Sequence, residues 1–103
     1  MSLEQRLQQL RQSIRLIAPS EALERTQAGA LLLDVRENEE TAQGLPDVAT
    51  AVPRGYLEMR IAELVGKPDQ EIILLCAATT RSLLAADDLR QMNYSNVSVV
   101  EGG

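Results

Sequence analysis

Apolar positions along the chain change period several times. Leu3, Leu7, Leu10 and Ile14 recur at helical spacing, whereas Leu31–Leu33 and Ile72–Leu75 are short unbroken runs. The first set predicts an amphipathic N-terminal helix, with Glu4, Arg6, Gln8 and Arg11 off its apolar face. Ile14–Ile17 follows as a short strand. Ala18-Pro19-Ser20 then opens a helix that runs to Thr26, with Pro19 in the first turn, where its missing N–H costs nothing, and Gly29 just past the end. Ala30–Asp34 predicts a strand buried on both sides. Arg36–Gln43 predicts a short polar helix, Gly44-Leu45-Pro46-Asp47 a turn and Ala51-Val52-Pro53 a strand. A helix from Tyr56 to Leu64 places Leu57, Ile61 and Leu64 on one face and is closed by Gly66-Lys67-Pro68-Asp69. Glu71–Cys76 reads as the central strand, Arg81–Met92 as a helix burying Leu83, Leu84, Ala86 and Leu89, and Val97–Val100 as the last strand. Alternating strand and helix patterns of this kind predict an α/β fold: a mainly parallel sheet with helices on both faces, in three layers.

Composition narrows the function classes. The 103 residues suit one domain. Fifteen acidic against ten basic residues give a net charge of −5, and Lys67 is the sole lysine, so no cationic surface for nucleic acid is available. With one cysteine and no histidine, an internal disulfide and an ordinary zinc site are excluded, and no metal or other cofactor is called for. No apolar run is long enough to cross a membrane, and Met1-Ser2-Leu3-Glu4-Gln5-Arg6 lacks the apolar core of a signal peptide, so a cytoplasmic location is expected.

Candidate chemistry concentrates in Glu71–Arg81, EIILLCAATTR, where a strand runs into the cysteine, then small residues, then an arginine. An unpaired cysteine is most often a small buried hydrophobe. Cys76, however, ends its apolar run, and Ala77-Ala78-Thr79-Thr80 would let backbone amides crowd a ligand. Arg81 falls in the first helical turn, where the macrodipole disfavours a cation by a few tenths of a kcal/mol. An anion in front of that turn would account for it. Turn amides, a helix N-terminus and a guanidinium together favour a thiolate.

These residues resemble the active-site loop of the rhodanese family, a cysteine ending a central strand followed by C-x-x-G-x-R and a Ser or Thr. Here the order is Cys76-Ala77-Ala78-Thr79-Thr80-Arg81-Ser82, with Thr79 in place of the usual glycine. Ala30-Leu31-Leu32-Leu33-Asp34-Val35-Arg36-Glu37-Asn38-Glu39-Glu40 is similar to the family's L-I-D-V-R-E-x-x-E segment, and Met92–Gly103 to its G-Y-x-x-V-x-x-L-x-G-G. The family's G-H-I-P-G-A segment is followed only loosely, by Gly44-Leu45-Pro46-Asp47-Val48-Ala49. The resemblance divides the chain into an N-terminal helix, residues 1–13, and a rhodanese-like domain, residues 14–103, that lacks the family's final helix. The N-terminal helix would cap the domain, join it to a partner or serve as a leader; capping is favoured. The missing helix points either to a segment cut from a longer protein, the favoured reading, or to the N-terminal helix covering the sheet in its stead.

Four residues separate Cys76 from Arg81, one fewer than in the cysteine phosphatases and arsenate reductases. The shorter cradle suits the terminal sulfur of a persulfide better than a tetrahedral phosphate. The resemblance therefore implies a sulfurtransferase in which Cys76 carries sulfane sulfur as a persulfide, Arg81 supports it, and Ala77, Ala78, Thr79 and Thr80 cradle it. Asp34, Arg36 and Ser82 would support the site. Arg54 would be a second cation for an anionic donor, against the alternative of a solvated loop arginine; Asp87-Asp88 reads as a wet helix face. The donor would be thiosulfate or a protein persulfide such as that of a cysteine desulfurase, and the acceptor a thiophilic group. The neutral Ala77-Ala78-Thr79 run predicts low activity with thiosulfate. Pro53–Ile61 and Cys76–Ala86 are further similar to rhodanese modules attached to adenylyltransferases of the molybdopterin-synthase and thiamine-sulfur-carrier type, which implies an adenylating domain or sulfur-carrier protein as partner and a role in sulfur-containing cofactor biosynthesis. The competing expectation is a catalytically silent docking or regulatory module.

Overall fold

The computed structural model describes residues 1–102. The elements are α1 (Leu3–Ser13), β1 (Arg15–Ile17), α2 (Pro19–Gln27), β2 (Leu31–Asp34), α3 (Asn38–Thr41), β3 (Ala49–Ala51), a 3₁₀ turn (Arg54–Tyr56), α4 (Leu57–Leu64), β4 (Ile72–Leu75), α5 (Thr80–Gln91) and β5 (Val97–Val100). All strand pairs are parallel, in the order β1-β5-β4-β2-β3, so β4 is the middle strand.

Strand alternation sorts the apolar residues into two cores. Ile72 and Leu74 of β4, Leu33 of β2 and Val97 and Val99 of β5 join Leu10, Leu57, Ile61, Leu83, Ala86 and Leu89 from α1, α4 and α5. Ile73, Leu32, Ile17 and Val100 turn to the opposite face and meet Ala22 of α2. The sheet is thus a layer between helices, with the larger core under α5. On the α2 face an apolar groove of about 230 Å³ runs between Leu23, Leu32, Val48, Leu75 and Val100.

Three expectations shift. The strand predicted at Ala51–Pro53 lies two residues earlier, because Leu32, Leu33 and Asp34 pair with Ala49, Thr50 and Ala51; Val52 N–H makes one more bond to Asp34, and Pro53 has no N–H to continue. The polar helix shrinks to Asn38–Thr41, closed at its start by a capping box between Glu37 and Glu40. Leu10 of α1 and Ile14 just past its end are buried, but Leu3 at its start is exposed. The rest of α1 lies on α5, held by Arg6 to Asp87 and by Arg90 to Ser13.

Leu74→Ala should destabilise the domain by about 2–5 kcal/mol through the cavity it opens in the middle strand. Leu3→Ala should stay within about 0.5 kcal/mol of wild type. Urea denaturation of both variants checks the assignment of core and exposed helix start.

Candidate active site

Parallel strands deliver their carboxyl ends to one side, and in open α/β sheets that side holds the ligand crevice. Cys76 is the first residue beyond β4. Its side chain is 3% exposed and packs at the edge of the larger core. Among the described residues one donor reaches its sulfur: the Ser82 N–H, at 3.4 Å, from the first turn of α5. The amides of Ala77, Ala78 and Thr79 donate to no acceptor among the described residues. Ala77 and Ala78 are exposed, so their amides border solvent. Thr80 opens α5, where the helix leaves its leading N–H groups without intrahelical partners and its dipole positive. The arrangement suits a small anion or polarisable sulfur.

The turn into α5 runs through Thr79 at φ +74°, ψ −31°. A β-branched residue seldom occupies this left-handed region, which costs about 1–3 kcal/mol and explains why related loops place glycine there. Thr79 is buried, and its Oγ1 accepts the Gly102 N–H at 3.0 Å. The hydroxyl of Ser82 is buried too, with no hydrogen-bond partner among the described residues.

Arginines surround the loop, each paired with carboxylates. Arg81 makes a bidentate contact with Glu40 of α3, at 2.6 and 2.9 Å. That corrects the expectation that an anion before the helix accounts for Arg81: a carboxylate of the chain itself does so. Glu40 was missed at the level of sequence as a site residue, although it closes the E-x-x-E segment and doubles as the capping-box acceptor of Glu37 N–H. The Arg81 hydrogen bonds hold its carboxyl far below the ordinary value of 4.5, at about 2. Arg81 is pushed up in turn, by the Glu40 hydrogen bonds first and then by the Glu40 charge.

Asp34, fully buried at the end of β2, accepts the Arg36 backbone N–H at 3.1 Å and both arms of its guanidinium, which also reaches the Gly44 carbonyl. Asp34 and Arg36 tie β2 to the loop after α3. Arg36 borders an open polar depression of about 310 Å³, lined also by Glu39, Glu40, Gln43 and Gly44. Arg54 is not a free second cation. Its guanidinium binds Glu58 at 2.9 Å and also Asp88 of α5. Asp87 and Asp88 are accordingly anchors rather than a wet face: Asp87 binds Arg6, Arg90 and Gln91, and Asp88 binds Arg54.

A five-stranded parallel α/β sheet with a lone cysteine loop between its middle strand and the following helix defines the class. Residues 18–103 match the model of the rhodanese-like domain, and the chain belongs to that family. It is 32% identical over 73 residues to a sulfurtransferase of Allochromatium vinosum, a match spanning 71% of this chain and 66% of that protein. Its fold is similar to the polysulfide-sulfur transferase homodimer of Wolinella succinogenes, with a TM-score of 0.83, 26% identity and coverage of 97% of this chain and 77% of the other. It is equally similar, at a TM-score of 0.83 and 26% identity over 100% of this chain and 86% of the other, to a Rhodopseudomonas palustris protein of unknown function described as a possible tyrosine phosphatase.

A depressed carboxyl stabilises the fold above its unfolded value and loses that effect as pH falls through the folded one. Glu40→Gln should therefore be less stable than wild type at pH values above 4.5, and the difference should shrink between 4.5 and about 2. With both side chains about one-third exposed, added salt should shrink it as well. Urea denaturation across that pH range checks this.

Proposed function

We propose that the protein is a sulfurtransferase whose Cys76 relays one sulfane sulfur atom. The Cys76 thiolate attacks the outer sulfur of a donor R–S–SH. The donor S–S bond breaks, R–S⁻ leaves, and Cys76–S–SH forms with the proton retained on the transferred sulfur. A nucleophilic acceptor then attacks that outer sulfur, the Cys76 S–S bond breaks and the thiolate returns, so no external oxidant or reductant is consumed. The observation that carries this reading is the Ser82 N–H directed at the Cys76 sulfur from the head of α5. Ala77, Ala78, Thr79 and Thr80 supply the cradle for the second sulfur, Arg81 its positive edge, and Ser82 Oγ a donor with no other engagement. Asp34 and Arg36 brace the rim.

The donor is a thiol persulfide in preference to thiosulfate. Arg36, Arg54 and Arg81 are each committed to carboxylates of the chain, which leaves no unpaired guanidinium at the rim for a dianion. The acceptor is a thiophilic nucleophile such as the thiol of a partner protein, which would carry the sulfur on into sulfur-containing cofactor biosynthesis. A thiol that cycles through a persulfide needs reducing surroundings, hence a cytoplasmic location.

The near-complete burial of Cys76 favours a second reading, a catalytically silent docking module. Intact mass after incubation with glutathione persulfide separates the two. Transfer predicts a gain of one sulfur atom that cyanide removes and that Cys76→Ala lacks. Loading should be at least about tenfold slower from thiosulfate, since a hydrogen bond to a charged group is worth about 1.5–3 kcal/mol. No adduct from either donor would establish the docking reading.

A further inference from the structure

The N-cap residue of a helix normally turns its side-chain oxygen onto the amide of the second or third helical residue. In α5 the N-cap is Thr79, and the third residue is Ser82. Thr79 makes no capping bond. Its hydroxyl instead accepts the Gly102 N–H at 3.0 Å, across 23 residues, while the Ser82 amide it would otherwise engage goes to the Cys76 sulfur at 3.4 Å. Thr79 Oγ1 and Cys76 Sγ are thus alternative acceptors for one amide, and the sulfur holds it while the bond to Gly102 keeps the hydroxyl turned away from the helix.

The positive φ of Thr79 is part of the same arrangement. In the extended conformation usual for an N-cap, Thr79 would bring its oxygen to the helix end, whereas at φ +74° it does not. That conformation is disfavoured for threonine, so something must hold it. The turn after β5 does. Glu101 N–H bonds to the Ile17 carbonyl at 2.8 Å, which fixes the turn to the edge strand β1, and the next amide, Gly102, reaches Thr79.

We propose that Thr79 is a positioning residue: clamped by Gly102, it withholds its hydroxyl from the helix and leaves the Ser82 amide to Cys76. The inference rests on Cys76 being the sulfur carrier and deepens that reading, since it places the reactivity of the sulfur under the control of the turn that follows β5. A ligand, partner or chain segment that pulled Gly102 away would free the hydroxyl to recapture the amide and would quieten the cysteine.

Alkylation of Cys76 by iodoacetamide tests this without requiring sulfur transfer, and so can fail independently of the proposed function. Gly102→Pro removes the clamping N–H and leaves the Thr79 hydroxyl free to take the Ser82 amide. The midpoint of the pH–rate profile should then move upward, with about tenfold slower alkylation at neutral pH. Adding Thr79→Val to Gly102→Pro deletes the competing oxygen and should return both towards wild type. A Gly102→Pro variant that alkylates with the wild-type profile would overturn the proposal. Should Gly102→Pro not fold, hydrogen exchange on the wild-type protein decides: the Gly102 amide must be protected, and Thr79→Ser must keep that protection. Exchange of Gly102 at the rate of a free amide in wild type would equally overturn it.

Discussion

One amide, the N–H of Ser82, is the constraint around which the site is organised. A helix cannot bond its own leading N–H groups, so each must find water, a side chain or a ligand. Here the third amide of α5 finds a sulfur atom. Everything nearby serves that pairing. The middle strand brings Cys76 to the carboxyl side of the sheet, Leu83 N–H closes the first helical bond on the Thr79 carbonyl, and the helix is pinned by its buried face of Leu83, Ala86 and Leu89. The positive end of the helix dipole faces the sulfur without any cation in contact with it.

The charged residues have a different task. Arg81 and Arg54 join segments distant in sequence, the loop to α3 and the 3₁₀ turn to α5, while Arg36 ties β2 to the nearby turn at Gly44. In partly exposed pairs of this kind the energetic contribution is modest. Their geometric contribution is larger, because bidentate contacts fix orientation. With these charges paired, the loop amides of Ala77, Ala78 and Thr79 are left without acceptors among the described residues, which supports the proposal of a soft, weakly charged sulfur ligand. The R. palustris neighbour, described as a possible tyrosine phosphatase, shares the fold at a TM-score of 0.83, and fold alone does not choose between these chemistries. The length of the loop and its charge pairing support the proposed sulfur transfer.

Much of this was legible in the chain. Unbroken apolar runs marked β2 and β4 because both of their faces are buried, and Val97–Val100 matches β5 residue for residue. The cysteine loop was visible because its composition changes abruptly at Cys76. The long-range pairings were hidden. Nothing local links Glu40 to Arg81 or Gly102 to Thr79, since those contacts exist only once parallel strands gather their carboxyl ends. Arg54 read as a free cation for the same reason, because Asp88 lies 34 residues away and reads locally as a solvated face. The edge strand β3 was misplaced because Ala49-Thr50-Ala51 has little apolar signal, and its register comes from β2.

The most direct test of the central pairing is the ¹H–¹⁵N signal of the Ser82 amide in the wild-type protein, followed while Cys76 is titrated and again after it has been loaded with one sulfane sulfur. An amide bonded to that sulfur must shift downfield as the thiol ionises and move once more on persulfidation, with the Cys76→Ala protein showing neither response. A Ser82 signal that stays fixed through both steps would contradict the account.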